Sequence, residues 1–108
     1  MLAITLPMVE HVIALADEAK DTEDAGQLET YINGLTKDQQ AELQALMWYG
    51  RDDTADDPIP FAEYLEFSTT NLDSVATYMG EKIIQLPGYL REGLRLVAER
   101  NEAWESAE

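Results

Sequence analysis

Apolar residues recur along most of this chain at the spacing of an α-helix, and this pattern limits the folds open to it. Val9, Val12, Ile13 and Ala16 follow the i, i+3, i+4, i+7 rule that places side chains on one helical face. No segment shows the convincing alternation of apolar and polar residues that is typical of a half-buried strand. The spacing therefore predicts an all-α protein, a small bundle of four to six helices.

Capping residues predict where the helices of the first half begin and end. Pro7 suits the first turn of a helix that ends near residue 20, and a short helix over 27–33 is closed by Gly34. Thr36, with Gln39 three residues later, forms a capping-box pattern and predicts the start of the clearest helix in the chain. Gly50 is placed to end that helix.

The second half of the chain predicts three more helical segments. One begins at Phe61 and is interrupted over 69–71. The apolar positions between Leu72 and Leu86 are periodic and predict one continuous helix, which the Pro87-Gly88 pair breaks. In the last helix, Gly93 permits a close approach to a neighbouring element.

Length and composition predict one acidic domain over 1–108, with a frayed tail at about 102–108. The absence of cysteine excludes disulfides and thiolate catalysis. The apolar N-terminal stretch lacks the basic region of a signal peptide and is too short to span a bilayer, so we expect a cytoplasmic protein. The strong negative charge disfavours binding to anionic membranes, so we expect no membrane partner.

The net charge of −15 is concentrated in two acidic clusters. Packed like charges repel one another and cost folding free energy, so a folded chain that keeps them is expected to use them. Such charge disfavours direct binding to nucleic acid and favours a basic protein surface as the partner. The predicted partner-binding residues are Asp17, Glu18, Asp21, Glu23 and Asp24 in the first cluster, and Asp52, Asp53, Asp56 and Asp57 in the second.

Carboxylates four residues apart on a helix lie about 6 Å from each other, close to the phosphate spacing along a nucleic-acid strand. The sequence therefore suggests a nucleic-acid mimic, an inhibitor of the anti-CRISPR or anti-restriction type encoded by a phage and acting in the host cytoplasm. The same charge is also typical of a solvated surface that serves only solubility. Both interpretations stay open at this point, as does the oligomeric state.

Two runs of sequence resemble a known family. They are AELQALMWYGR over 41–51 and the stretch over 78–94, which ends in PGYLREGL. They are similar to an AELxALMWxGR-like run and a P-x-YL-x-x-GL-like run in a family of small bacterial proteins classed as a domain of unknown function. The resemblance covers roughly residues 36–97. It implies an α-helical fold and carries no activity to transfer.

A calcium-binding loop is the alternative functional interpretation, and it would make the chain a metal-responsive regulatory module. Residues 52–63 have the length of an EF-hand loop, with Asp52, Thr54, Asp56 and Glu63 at the first, third, fifth and twelfth positions. Asp57 stands at the sixth position, where glycine normally makes the sharp turn, so the ligand pattern is incomplete. We expect no cofactor.

Trp48 and Tyr49, next to Arg51, form a possible aromatic patch for partner binding, since aromatic residues and arginine dominate interface hot spots. The alternative is that these aromatic side chains belong to the core. No pattern of catalytic residues is present: His11 is the only histidine, and no serine lies in a Gly-x-Ser-x-Gly elbow. We therefore expect a non-enzymatic binding protein.

Overall fold

The computed structural model describes residues 3–19, 21–22, 24–52 and 60–99. Over these ranges the chain forms six α-helices and no strand, which confirms the predicted all-α bundle. The helices are α1 (Leu6–Ala19), α2 (Gly26–Asn33), α3 (Lys37–Arg51), α4 (Phe61–Thr69), α5 (Val75–Glu81) and α6 (Leu86–Glu99). The predicted tail at 102–108 lies outside the described residues.

Helix α1 begins and ends within one residue of its prediction. Its predicted stripe is buried in full, with Val9, Val12 and Ala16 at 0% exposure and Ile13 at 7%. Burial of such a stripe, at about 25 cal/mol per Å² of apolar surface, supplies most of the stability of a short helix in a bundle.

Helix α3 begins at the predicted capping box. The Thr36 hydroxyl accepts a hydrogen bond from the Gln39 amide at 3.1 Å, and the Gln39 side chain accepts one from the Thr36 amide at 3.0 Å. A cap of this kind stabilises a helix by about 1 kcal/mol, because it satisfies donors that the first turn leaves unpaired. Leu43, Leu46 and Met47 are fully buried, so α3 forms the centre of the bundle.

The other helices share one core with α3. Helix α3 packs against α4 and α6, α1 packs against α2 and α6, and α2 packs against α5. The largest fully buried apolar side chains from elements other than α1 and α3 are Leu28, Ile32, Val75, Met79, Leu86 and Leu90. No helix among the described residues has the length and apolar character needed to cross a membrane.

The continuous helix predicted between Leu72 and Leu86 is wrong. Helix α5 ends at Glu81, a turn follows, and α6 begins at Leu86, so that Pro87 and Gly88 lie in the first turn of a helix. In the turn, the Lys82 amide bonds to the Met79 carbonyl at 3.0 Å, three residues back. Proline is tolerated there because its missing N–H belongs to the first turn, whose donors have no helical acceptor.

Gly50 does not end α3, which continues to Arg51. It lies at the crossing of α3 and α6 together with Gly93, and both are buried. A Cβ on Gly93 would lie 2.5 Å from the Leu46 carbonyl oxygen, so this helix pair requires glycine for its close approach. The prediction for Gly93 is confirmed, and Gly50 has the same packing role.

Candidate functional site

A cleft of about 540 Å³ opens where α3 passes α4 and the segment leading into α5. This volume is within the usual range for a small-molecule site, about 300–1,000 Å³. Four aromatic side chains line it together with polar and charged groups, and we call it the aromatic cleft. Its lining residues are Gln44, Trp48, Arg51 and Asp52 from α3 and its end, Tyr64 and Phe67 from α4, and Asn71, Asp73 and Tyr78 beyond it.

Helical spacing places the side chains of each wall on a common face. Gln44, Trp48 and Arg51 are at i, i+4 and i+7 on α3. Tyr64 and Phe67 are at i and i+3 on α4. Helices α3 and α4 therefore each have one face in the core and a second face in the cleft.

The aromatic walls contact one another. The Trp48 and Phe67 ring centroids are 5.5 Å apart with a 43° interplanar angle. The Trp48 indole N–H donates to the Tyr78 hydroxyl at 3.1 Å, which links α3 to α5. Phe67 is 61% exposed, although a phenylalanine next to other aromatic side chains would gain free energy if it were covered.

Three residues of the cleft lining are linked by hydrogen bonds: Arg51, Asp52 and Tyr64. Arg51 Nε donates to Asp52 Oδ1 at 2.9 Å, and the Tyr64 hydroxyl donates to Asp52 Oδ2 at 2.9 Å. The Arg51 hydrogen bond, with help from the Tyr64 hydroxyl, lowers the pKa of the Asp52 carboxyl. Burial and the bond to Asp52 raise the pKa of Tyr64 to about 12, so its phenol stays protonated at neutral pH.

A buried polar group fixes the floor of the cleft. Gln44 Nε2 donates to the Ser68 hydroxyl at 3.0 Å and to the Asn71 carbonyl at 2.9 Å. The Ser68 hydroxyl donates to the Ala41 carbonyl at 2.8 Å. Gln44 and Ser68 are 3% and 0% exposed, so these bonds are sheltered from water and hold α4 and its C-terminal end against α3.

The three residues of the predicted aromatic patch do not lie together on the surface. Tyr49 is only 3% exposed and packs in the core against Phe61, with ring centroids 5.7 Å apart. Trp48 and Arg51 lie in the aromatic cleft, where both are accessible. Phe67 was not among the predicted surface residues, although its i+3 spacing from Tyr64 on a second face of α4 was a readable signal.

The first acidic cluster lies apart from the cleft, around the end of α1. Asp17 forms an ion pair with Arg91 of α6. Glu18 and Asp24 line a surface pocket of about 220 Å³, and Asp21 is exposed nearby in sequence. Glu23 lies outside the described residues. No residue is shared between this pocket and the aromatic cleft.

Of the second acidic cluster and the predicted calcium loop, the structure describes only residues 52 and 60–63. Asp53, Asp56, Asp57 and Thr54 lie outside the described residues. Asp52 is bonded to Arg51 and Tyr64, and Glu63 is exposed in the first turn of α4. Within 3–19, 21–22, 24–52 and 60–99, no group of three or more histidine, aspartate or glutamate side chains could hold a metal ion. The calcium loop stays a prediction.

The described ranges of this small acidic chain form an all-helical fold, and the aromatic cleft lies on its helix α3. The sequence profile of a family described as "Protein of unknown function (DUF3775)" matches residues 25–98, which include every residue that lines the aromatic cleft. The chain belongs to this family, and the resemblance noted in the sequence is confirmed at that level. Comparisons with curated proteins and with solved structures found no match.

Proposed function

We propose that this protein is a non-enzymatic binding protein whose partner presents a basic protein surface. The observation that carries the proposal is how the chain uses its own cations. Arg51 forms an ion pair with Asp52, and Arg91 forms one with Asp17. Arg95 forms ion pairs with Glu92 and Glu99. Most of the described positive charge is therefore engaged within the molecule.

The carboxylates left over are numerous and exposed. Nine exposed carboxylates have no ion pair within the described part of the chain, so each can bind a cation of another molecule. They are Glu10, Glu18, Asp21, Asp24, Asp38, Glu63, Glu66, Asp73 and Glu81. A surface of this kind attracts basic proteins over about a Debye length, roughly 8 Å at physiological salt, and raises their association rate.

The sharper form of the proposal is that the partner is a nucleic-acid-binding protein, blocked by a phage-encoded mimic in the host cytoplasm. Exposed carboxylates one helical turn apart support it: Glu63 and Glu66 are three residues apart on α4, a spacing that places Cβ atoms about 5–6 Å from each other. Such an inhibitor would occupy the basic groove of its target in place of phosphates.

The test uses immobilised protein and a bacterial lysate at low salt, eluted in parallel with a salt gradient and with duplex DNA. We expect retained proteins to be basic, to leave the column steeply as salt rises, and to be displaced by DNA. A variant carrying Glu18→Gln, Asp21→Asn and Asp24→Asn should retain less. Retention that is independent of salt contradicts the basic-partner proposal, and retention that DNA does not reverse contradicts mimicry alone.

A further inference from the structure

We infer that the aromatic cleft is an anchor site for an arginine side chain of the partner. This inference rests on the proposed function, because it names the chemistry by which the same basic partner is held. It starts from Phe67, whose ring is 61% exposed beside Trp48, with the two ring centroids 5.5 Å apart. These rings offer an accessible aromatic surface on a framework that the Gln44 and Ser68 hydrogen bonds hold in place.

The net negative charge of the residues that line the cleft favours binding of a cation. Arg51 is the single positive group among the lining residues, and Asp52 already neutralises it at 2.9 Å. Asp73 is exposed in the same lining and makes no hydrogen bond or ion pair within the described ranges. The lining therefore has one carboxylate left over, and the faces of Trp48 and Phe67 attract positive charge. The Tyr78 ring already faces the Lys82 ammonium, which lies 6.0 Å from its centroid.

Arginine fits this combination better than lysine. Its guanidinium is planar and weakly hydrated, so it can stack on an aromatic ring while it donates two hydrogen bonds to one carboxylate. A lysine ammonium holds its water more strongly and presents no flat face. Charge argues against a second copy of this chain as the occupant, since each copy has a net charge of −15.

The experiment titrates the full chain, labelled with ¹⁵N, with the peptide acetyl-Gly-Arg-Gly-Arg-Gly-amide and with its lysine counterpart at low salt. The chain has two tryptophans, and Trp48 lies in the cleft, so its indole N–H signal reports on this site. We expect that signal to move on saturation with the arginine peptide, which should bind more tightly than the lysine peptide.

Two variants and two matched controls define the site. Phe67→Ala should weaken binding of the arginine peptide about two- to five-fold, whereas Ile84→Ala, which removes another exposed apolar side chain, should not. Asp73→Asn should weaken binding of both peptides, and Asp38→Asn, also an exposed aspartate, should have a smaller effect. Circular dichroism of each variant confirms that the fold is kept.

The outcomes separate this inference from the proposed function. If both peptides bind equally and the Trp48 signal does not move, the cleft is not the anchor, although the basic-partner proposal survives. If neither peptide binds at low salt, both proposals fail. Concentration-dependent movement of the Trp48 signal without peptide would show that a second copy occupies the cleft, and it would overturn the inference.

Discussion

Gly50 of α3 lies directly against the backbone of Tyr89 in α6, so that a Cβ on Gly50 would be 1.9 Å from the Tyr89 carbonyl oxygen. The same Cβ would be 2.6 Å from the Gly93 amide nitrogen. Both obstacles are helix backbone, which cannot rotate away as a side chain can. The close approach of these two helices therefore requires that position 50, like position 93, has no side chain.

Gly50→Ala should destabilise the protein by about 3 kcal/mol, since one methyl group forces α3 and α6 apart and opens the core around them. The measurement is urea unfolding followed by circular dichroism. Gly88→Ala is the matched control, because Gly88 lies in α6 with no atom within 4 Å of the added Cβ. It should be neutral or stabilise by about 0.5 kcal/mol through helix propensity. Equal effects of the two substitutions would contradict the close-approach argument.

Glu42 fixes the segment before α1 to the central helix. Its carboxylate is buried at 7% exposure and accepts from the Ile4 amide at 2.7 Å and the Ala3 amide at 3.1 Å. Glu42→Gln keeps one acceptor oxygen and places an NH₂ group against the second amide, so we expect a loss of about 1–3 kcal/mol.

Hydrogen exchange at residues 3 and 4 measures this anchoring directly. Both amides should exchange faster in Glu42→Gln, while the amides of α3 change less. Glu66→Gln on the exposed side of α4 is the control and should leave the exchange at these positions unchanged. Protection of the Ile4 amide that survives in Glu42→Gln would show that another group holds the segment.

Ser74 has left-handed backbone angles, φ 59° and ψ 41°, at the start of α5, and its side chain makes no capping hydrogen bond there. This conformation costs a non-glycine residue about 1–2 kcal/mol. Glycine avoids that cost but loses about 0.5–1 kcal/mol of chain entropy on folding. Ser74→Gly should therefore raise the unfolding free energy by about 0.5 kcal/mol, and Ser74→Val should lower it, both measured by thermal melting. Stabilisation by valine would contradict the strain argument.

The Tyr64 phenol should be the source of a loss of stability at alkaline pH. Its pKa is about 12 in the folded protein against an ordinary value of 10.0, so folding favours the protonated form. The stabilisation is complete below pH 10 and is lost as pH rises from 10 to 12. Tyr64→Phe should weaken the dependence of the melting temperature on pH between pH 10 and 12. The control Tyr31→Phe, on α2, should show the same pH dependence of the melting temperature as the unmodified protein.

The Asp52 carboxylate should contribute to stability at neutral pH and lose that contribution as the pH falls. Because Arg51 lowers its pKa below the ordinary value of 3.8, the ion pair stabilises the fold above that pH and ceases to do so as pH falls through the folded pKa. Arg51→Gln should raise the pKa of Asp52, measured from its carboxyl carbon signal in an NMR titration. The effect on stability should be small, since the Asp52 side chain is 35% exposed. An unchanged Asp52 titration would contradict the pairing.

The sequence by itself determined the features that depend on neighbours within about one helical turn. The buried stripe of α1 and the Thr36–Gln39 cap of α3 were both predicted, because periodicity and capping involve residues three or four apart. The family resemblance was readable for a similar reason, since it rests on short contiguous runs.

Only the tertiary structure decided what covers each helix, and which aromatic and polar side chains outside the predicted apolar stripes stay exposed. Trp48 and Tyr49 are adjacent in sequence, yet Tyr49 enters the core and Trp48 borders the cleft, since successive residues on a helix point in different directions. The helix break before Leu86 was hidden because the apolar spacing continues through the turn into the same core. The cleft depends on pairs such as Gln44 and Asn71, 27 residues apart, and contacts at that separation leave no periodic trace in a single sequence.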